Sequence, residues 1–216
     1  MARKSLLDRY LAWREERHPD PELRAHRRRL LATARGHVIE IGCGEGTNFE
    51  HYPSAVTSVL AVEPDADARA VAARAAEGAP VPIRVAAGVA EELPAPDASF
   101  DVAVCSWVLC SVDNPQAALG EVRRVLRPDG ELRFFEHVVS KGRVFALLQR
   151  AADATYWPRM LGGCRTARDT EAAIRTAGFQ IDQIAHFRHI SCWLTIPAAP
   201  HILGSARPGT MRPAPV

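Results

Sequence analysis

Val38-Ile39-Glu40-Ile41-Gly42-Cys43-Gly44-Glu45-Gly46 runs a β-branched, apolar segment straight into three glycines at alternate positions. His37 to Ile41 therefore reads as a strand inside a sheet. The glycine loop falls at the carboxyl edge of that strand, beside a coming helix, and open α/β sheets bind ligands at that edge. Gly42, Gly44 and Gly46 lack Cβ atoms, so the backbone can turn sharply and a bulky ligand can lie against bare peptide groups.

The next apolar run strengthens this reading. Val59-Leu60-Ala61-Val62 leads into Glu63, 21 residues after Gly42, close to the spacing at which an acid grips ribose hydroxyls. The glycines are spaced G-x-G-x-G, not the G-x-G-x-x-G that seats a pyrophosphate on a helix N-terminus. Glu40 and Glu45 add negative charge, which repels phosphate and suits a sulfonium and an ammonium.

Beyond the loop, short strand-like runs alternate with helical stretches, the pattern of a sheet wrapped by helices. The strands are His37 to Ile41, Val59 to Glu63, Ile83 to Ala86, Asp101 to Ser106, Leu132 to Glu136, Phe179 to Phe187 and His201 to Ala206. Helices are expected at Asp65 to Glu77, at Pro115 to Leu126 behind an Asn114 cap, and at Thr170 to Ala177 ahead of Gly178. Pro128-Asp129-Gly130 reads as a turn. The fold class is α/β, with a Rossmann-like, mostly parallel seven-stranded sheet of five parallel strands and a terminal pair.

Residues 1–35 read differently, as two helices forming an arm or lid ahead of a main domain at 36–216. Leu6, Leu7, Tyr10 and Leu11 make one apolar stripe, and Asp20-Pro21-Glu22 starts the second helix. Both look like an appendage. The arm holds ten Arg/Lys against five Asp/Glu, so it is +5 and the remainder −3 within a total of +2. That total and a pI near 8.4 are too mild to argue for nucleic acid. No apolar run approaches the roughly 20 residues that span a bilayer, so a soluble, cytoplasmic protein is expected. Five cysteines without C-x-x-C spacing indicate neither a disulfide framework nor a metal site.

Glu40-Ile41-Gly42-Cys43-Gly44-Glu45-Gly46, Glu63-Pro64, Gly88 to Pro94 and Arg124-Val125-Leu126-Arg127-Pro128-Asp129-Gly130 together resemble class I S-adenosylmethionine-dependent methyltransferases. The resemblance implies S-adenosylmethionine as cofactor and S-adenosylhomocysteine as product. It implies a cofactor site drawn from Glu40, Gly42, Cys43, Gly44, Gly46 and Asn48, with Glu63 and Pro64 at the ribose. Val89, Ala90 and Glu91 would flank the adenine, and Ser106, Trp107 and Val108 would lie under the methionine moiety. Many relatives place an aspartate where this chain has Val89, so the Val89 and Ala90 backbone is expected to contact the adenine.

A narrower likeness lies in Val108-Leu109-Cys110-Ser111-Val112, Phe135-Glu136-His137-Val138, Gly162-Gly163-Cys164 and Pro200-His201-Ile202-Leu203-Gly204, which resemble methyltransferase-like enzymes acting on small thiols. It implies a small-molecule methyl acceptor. Those relatives carry a hydrophobic N-terminal anchor where this chain has a charged helical arm.

His137 directly follows the fifth strand and is the expected general base, able to take a proton near neutrality. Its plainer reading is a histidine tying the strand end to a loop, with Glu136 as partner. Cys105 and Cys110 read as small core residues and Asp101 as structural. Trp107 offers an aromatic wall. Tyr156, Trp157 and Trp193 fall in segments that cover acceptor pockets, Arg165 and Arg168 in a turn or helix cap, and Tyr10 and Trp13 on a lid. Competing readings are N-, O- or C-methylation of a natural product or quinone, a nicotinamide-dependent oxidoreductase, and a non-catalytic cofactor-binding protein.

Overall fold

Val38, Ile39 and Ile41 are at most 1% exposed because their strand, β1 (Gly36–Ile41), has a parallel neighbour on each side. These are β2 (Val56–Glu63) and β4 (Phe100–Ser106). The computed structural model describes residues 17–209. With β3 (Ile83–Ala87), β5 (Leu126–His137), β6 (Phe179–Arg188) and β7 (Pro200–Pro208), the sheet runs β3-β2-β1-β4-β5-β7-β6. β7 is antiparallel to both β5 and β6, so the expected terminal pair is present and the first five strands are parallel. The chain leaves β1 toward β2 on one side and returns as β4 on the other, which opens a crevice at their carboxyl ends.

Local sequence explains most helices. Asp20 caps α1 (Pro21–Leu31), Asp65 caps α2 (Ala66–Glu77) and Asn114 caps α3 (Pro115–Val125), each accepting orphan N–H groups of the first turn. Asp169 does the same for α6 (Thr170–Thr176).

Four local expectations change. The glycine loop leads not into a helix but into turns and a single 3-10 turn, Phe49–His51, because Pro53 forces Tyr52 into extended backbone. β5 begins at Leu126, six residues before the expected start, and Pro128-Asp129-Gly130 lies in a bulge, since Phe100 pairs with Leu126 and Val102 with Glu131. Two helices went unread, α4 (Arg143–Thr155) and α5 (Trp157–Met160). In α4 the large apolar side chains face out, with Val144 75% and Leu147 and Leu148 each 61% exposed, while Ala146, Gln149 and Ala152 are buried. The periodicity is inverted. Buried Gln149 bonds the Val138, Thr166 and Pro197 carbonyls and the Ser140 amide, satisfying its amide group.

The fourth concerns α1, which is no appendage. Leu23, Leu30 and Leu31 join Phe135 and Leu203 in the core, and the Leu30 carbonyl accepts from Arg133 at 2.7 Å. His189 ties the helix start to the sheet through Asp20 at 3.0 Å and Glu22 at 2.9 Å. The first expected helix, with Tyr10 and Trp13, lies outside the described residues.

Candidate functional site

The three loop glycines answer to different neighbours. A Cβ on Gly42 would meet Val108 at 2.7 Å and one on Gly46 would meet Phe49 at 2.7 Å, whereas one on Gly44 would meet nothing within 4 Å. Gly42 and Gly46 therefore seat the loop against the protein, and Gly44, at φ +56°, faces open space. Beside it the Glu63 carboxylate accepts the Gly44 amide at 2.9 Å and the Asp65 amide at 3.0 Å. An ionised carboxylate offers about four acceptor positions, so roughly two remain for hydroxyl groups. Pro64 is exposed at the same edge.

Glu40 behaves otherwise than its charge suggested. It is 2% exposed, and its oxygens accept from Asn48 at 2.8 Å and Tyr52 at 2.7 Å. Burial pushes its carboxyl above the ordinary range, with the Tyr52 and Asn48 hydrogen bonds opposing. Asn48 in turn accepts from Arg27 at 2.8 Å. Glu40 and Asn48 are thus buried and hydrogen-bonded beneath the loop, which they brace. Cys43 is buried, and burial beside Glu40 and Glu63 raises its thiol far above the usual value.

The remaining expected residues gather at the same edge. Beyond β3, Val89 is 44% exposed and pairs with Glu92. Ala90 is buried, and Glu91 accepts the Asn114 amide at 3.3 Å. Beyond β4, Ser106 and Trp107 are half-buried, and Trp107 sits in the left-handed region at φ +60°, a strained backbone for a bulky residue. Among the described residues the Ser106 hydroxyl and the Trp107 indole N–H are buried without a protein partner.

Trp107 stacks on His137 with ring centroids 5.3 Å apart, and the Arg27 guanidinium lies 4.9 Å from the Trp107 centroid. His201 adjoins His137 at 4.6 Å and stacks on Phe187, which stacks on His26 at 4.0 Å. Burial lowers His201 to about 3, aided by the nearby His137, so this ring is neutral at physiological pH. The result is an aromatic wall built from α1, β4, β5, β6 and β7.

His137 is where sequence spacing said least. Its partner is not Glu136, whose carboxylate accepts the Val108, Leu109 and Cys110 amides at 3.0, 3.0 and 3.1 Å. Instead His137 Nδ1 lies 3.5 Å from Cys110 Sγ and 3.4 Å from Cys164 Sγ, and the sulfurs are 3.8 Å apart. Cys110 and Cys105 are both core residues, as expected, each 0% exposed, and Cys110, packed with Trp157 and Cys164, also faces His137. Burial opposes charging of His137, but the Cys164 sulfur outweighs it and holds the imidazole above its ordinary value. Hydrogen bonding from Cys110 and the facing His137 hold the Cys164 thiol well below its own. Trp157 is buried beside this cluster, whereas Trp193 is 76% and Tyr156 47% exposed. Arg168 bonds the Leu109 and Val112 carbonyls at 2.6 and 2.7 Å. Asp101 lies at the opposite, amino end of β4, as expected.

Residues 39–134 match a family described as a methyltransferase domain. The chain is 36% identical over 173 residues to the thiol S-methyltransferase TMT1B of Rattus norvegicus, covering 78% of this chain and 69% of that protein. It is 33% identical over 173 residues to the thiol S-methyltransferase TMT1A of Homo sapiens, with the same two shares of 78% and 69%. An S-adenosylmethionine-dependent methyltransferase from Mesorhizobium loti superposes with a TM-score of 0.64 at 20% identity, covering 88% of this chain and 98% of that one. The superposition speaks for the fold alone.

Proposed function

The chain belongs to the S-adenosylmethionine-dependent methyltransferases, and from that premise we propose that it methylates the sulfur of a small thiol by direct in-line transfer. The cofactor supplies a methyl group already activated on a sulfonium sulfur. What supports its seat is the open space over Gly44 next to the Glu63 carboxylate, with two acceptor positions left for the ribose. The orphan Ser106 hydroxyl and the loop through Trp107 and Val108 suit the methionine portion, and Val89, Ala90 and Glu91 the adenine.

In-line displacement needs only that the acceptor lone pair stand behind the methyl carbon, and holding two reactants so can lower the barrier by about 7 kcal/mol or more. A thiol must also lose its proton, from a free pKa of about 8.5. His137, behind Trp107 at the end of β5, is the residue we assign to the acceptor side. The observation that carries the thiol reading is the similarity to thiol S-methyltransferases over 78% of this chain.

We read α1, the described helix of the 1–35 arm, as a fixed cover over this edge, supported by Arg27 lying over Trp107 and by Leu23, Leu30 and Leu31 in the core. A cytoplasmic location is supported by an odd number of cysteines without paired spacing, which suits reduced thiols. No helix among the described residues is long and apolar enough to cross a membrane.

The test is a mass-spectrometric screen of thiols, amines and phenols with S-adenosylmethionine and the purified chain. A methyl thioether is expected. Methylation confined to amines or phenols overturns the thiol assignment, and no methylated product with any acceptor leaves a binding protein without catalysis.

A further inference from the structure

We propose that Cys110, His137 and Cys164 form a zinc site whose fourth coordination position takes the sulfur of the acceptor. The first observation is geometric. A tetrahedral ion with metal–sulfur bonds of about 2.3 Å and a metal–nitrogen bond of about 2.05 Å sets its sulfurs about 3.8 Å apart and each sulfur about 3.5 Å from the nitrogen. The three ligand atoms stand at 3.8, 3.5 and 3.4 Å. Each residue offers one ligand atom and all lie within 4.8 Å of one another, so these separations are the edges of one face of the coordination tetrahedron.

The second observation is that the loops carrying the ligands are locked by contacts that do not use the ligand atoms. Glu136 spends its buried carboxylate on three successive amides ending at Cys110. The Cys110 carbonyl accepts from Arg165 at 2.8 Å, which joins the Cys110 loop to the turn bearing Cys164. That turn passes through Gly162 and Gly163, at φ +52° and +87°, and a Cβ on Gly163 would press on the Ser111 carbonyl at 3.1 Å. Arg168 clamps the carbonyls of Leu109 and Val112. Support of this kind orients ligands before a metal arrives.

Charge and burial agree. Cys110 is 0% and Cys164 6% exposed, a place where unpaired thiolates are costly. Two thiolates, a neutral imidazole and a divalent cation sum to zero, and soft sulfur ligands select zinc over magnesium or calcium. Three protein ligands leave one position open, the arrangement of catalytic rather than structural zinc.

This part of the inference rests on the thiol reading given above. A thiol entering the fourth position releases its proton to solvent and binds as thiolate. Its sulfur electron pair then forms the new S–CH3 bond, the sulfonium C–S bond breaks, and that bond's pair stays on the cofactor sulfur as a neutral thioether. Half-buried His137, stacked on Trp107, joins the metal cluster to the cofactor edge.

The full-length chain is purified under reducing, anaerobic conditions, its metal content measured, and the metal replaced by Co2+. About one zinc per chain is expected, along with a thiolate-to-cobalt charge-transfer band and tetrahedral d–d bands that shift when a small thiol is added. Cys110→Ser, Cys164→Ser and His137→Asn should each lower metal affinity at least ~10-fold, whereas Cys192→Ser, outside the cluster, should retain it. Circular dichroism and S-adenosylhomocysteine binding check that the variants are folded. Three results overturn the proposal: a folded chain without stoichiometric metal or cobalt bands, a Cys110–Cys164 disulfide in its place, or cobalt bands that ignore added thiol. A shifting cobalt spectrum with no methyl thioether from any thiol keeps the site and removes the thiol-methylation reading, so the two fail separately.

Discussion

The Gly44 amide donates to the Glu63 carboxylate at 2.9 Å, so the turn of the glycine loop and the acid at the end of β2 are held as one unit. The same hydrogen bond leaves the outer face of Gly44 bare and aims the remaining Glu63 lone pairs beside it.

Gly44→Val places two methyl groups in that open space and forces a β-branched residue to φ +56°, a region that costs an L-residue roughly 1–2 kcal/mol. Glu63→Gln removes a charge that accepts hydrogen bonds worth about 1.5–3 kcal/mol each. Calorimetry with S-adenosylhomocysteine should show no measurable binding for the valine variant and ~10-fold or greater weakening for the glutamine variant. Unchanged affinity in both would remove this edge as the cofactor seat.

His137→Ala touches neither the glycine loop nor Glu63. Cofactor affinity should stay within about threefold, while methyl transfer to a thiol falls by at least ~10-fold, the loss expected on removing one of the groups that hold the acceptor's metal. A variant with full turnover across the pH range ends any acceptor-side role for this ring.

Arg27→Ala removes the guanidinium from the face of Trp107 and from Asn48. The cation–π contact and the charge-assisted hydrogen bond together suggest a loss of about 1–3 kcal/mol. At about 2–4 °C per kcal/mol for a chain of this size, differential scanning fluorimetry should show Tm lower by roughly 2–12 °C. An unchanged Tm would mean that α1 does not brace the loop through this residue.

Asp101 links the amino ends of two strands. It accepts the His37 amide at 2.6 Å and pairs with Arg127. Partial desolvation opposes ionisation, yet the His37 amide and Arg127 hold its carboxyl below the ordinary 3.8. A depressed carboxyl stabilises the fold at pH above its unfolded value, and that contribution disappears as pH falls through the folded one. Asp101→Asn should therefore lower Tm at pH 7 and lose its effect as pH falls from the ordinary 3.8 through the lower folded value. Equal penalties at both pH values would assign the loss to packing.

Much of the fold was readable from short-range pattern. Apolar runs ending in glycine or acid became strands, and Asp20 and Asn114 became caps, because strand alternation and capping depend on residues within a few positions. α4 escaped because tertiary packing buries its alanines and Gln149 while Leu147 and Leu148 face out. That reverses the usual stripe.

For the site, the sequence by itself determined that a glycine loop and an acid, Glu63, would meet at one sheet edge, since strand length and parallel register carry both there. Only the tertiary structure decided that Glu40 turns inward to Asn48 and Tyr52, and that Cys110, His137 and Cys164 converge. Successive members of the three lie 27 residues apart along the chain, two on separate loops and His137 at the end of β5. Their meeting depends on where Glu136 and Arg168 pull the backbone, a long-range balance of hydrogen bonds and burial that no local spacing encodes.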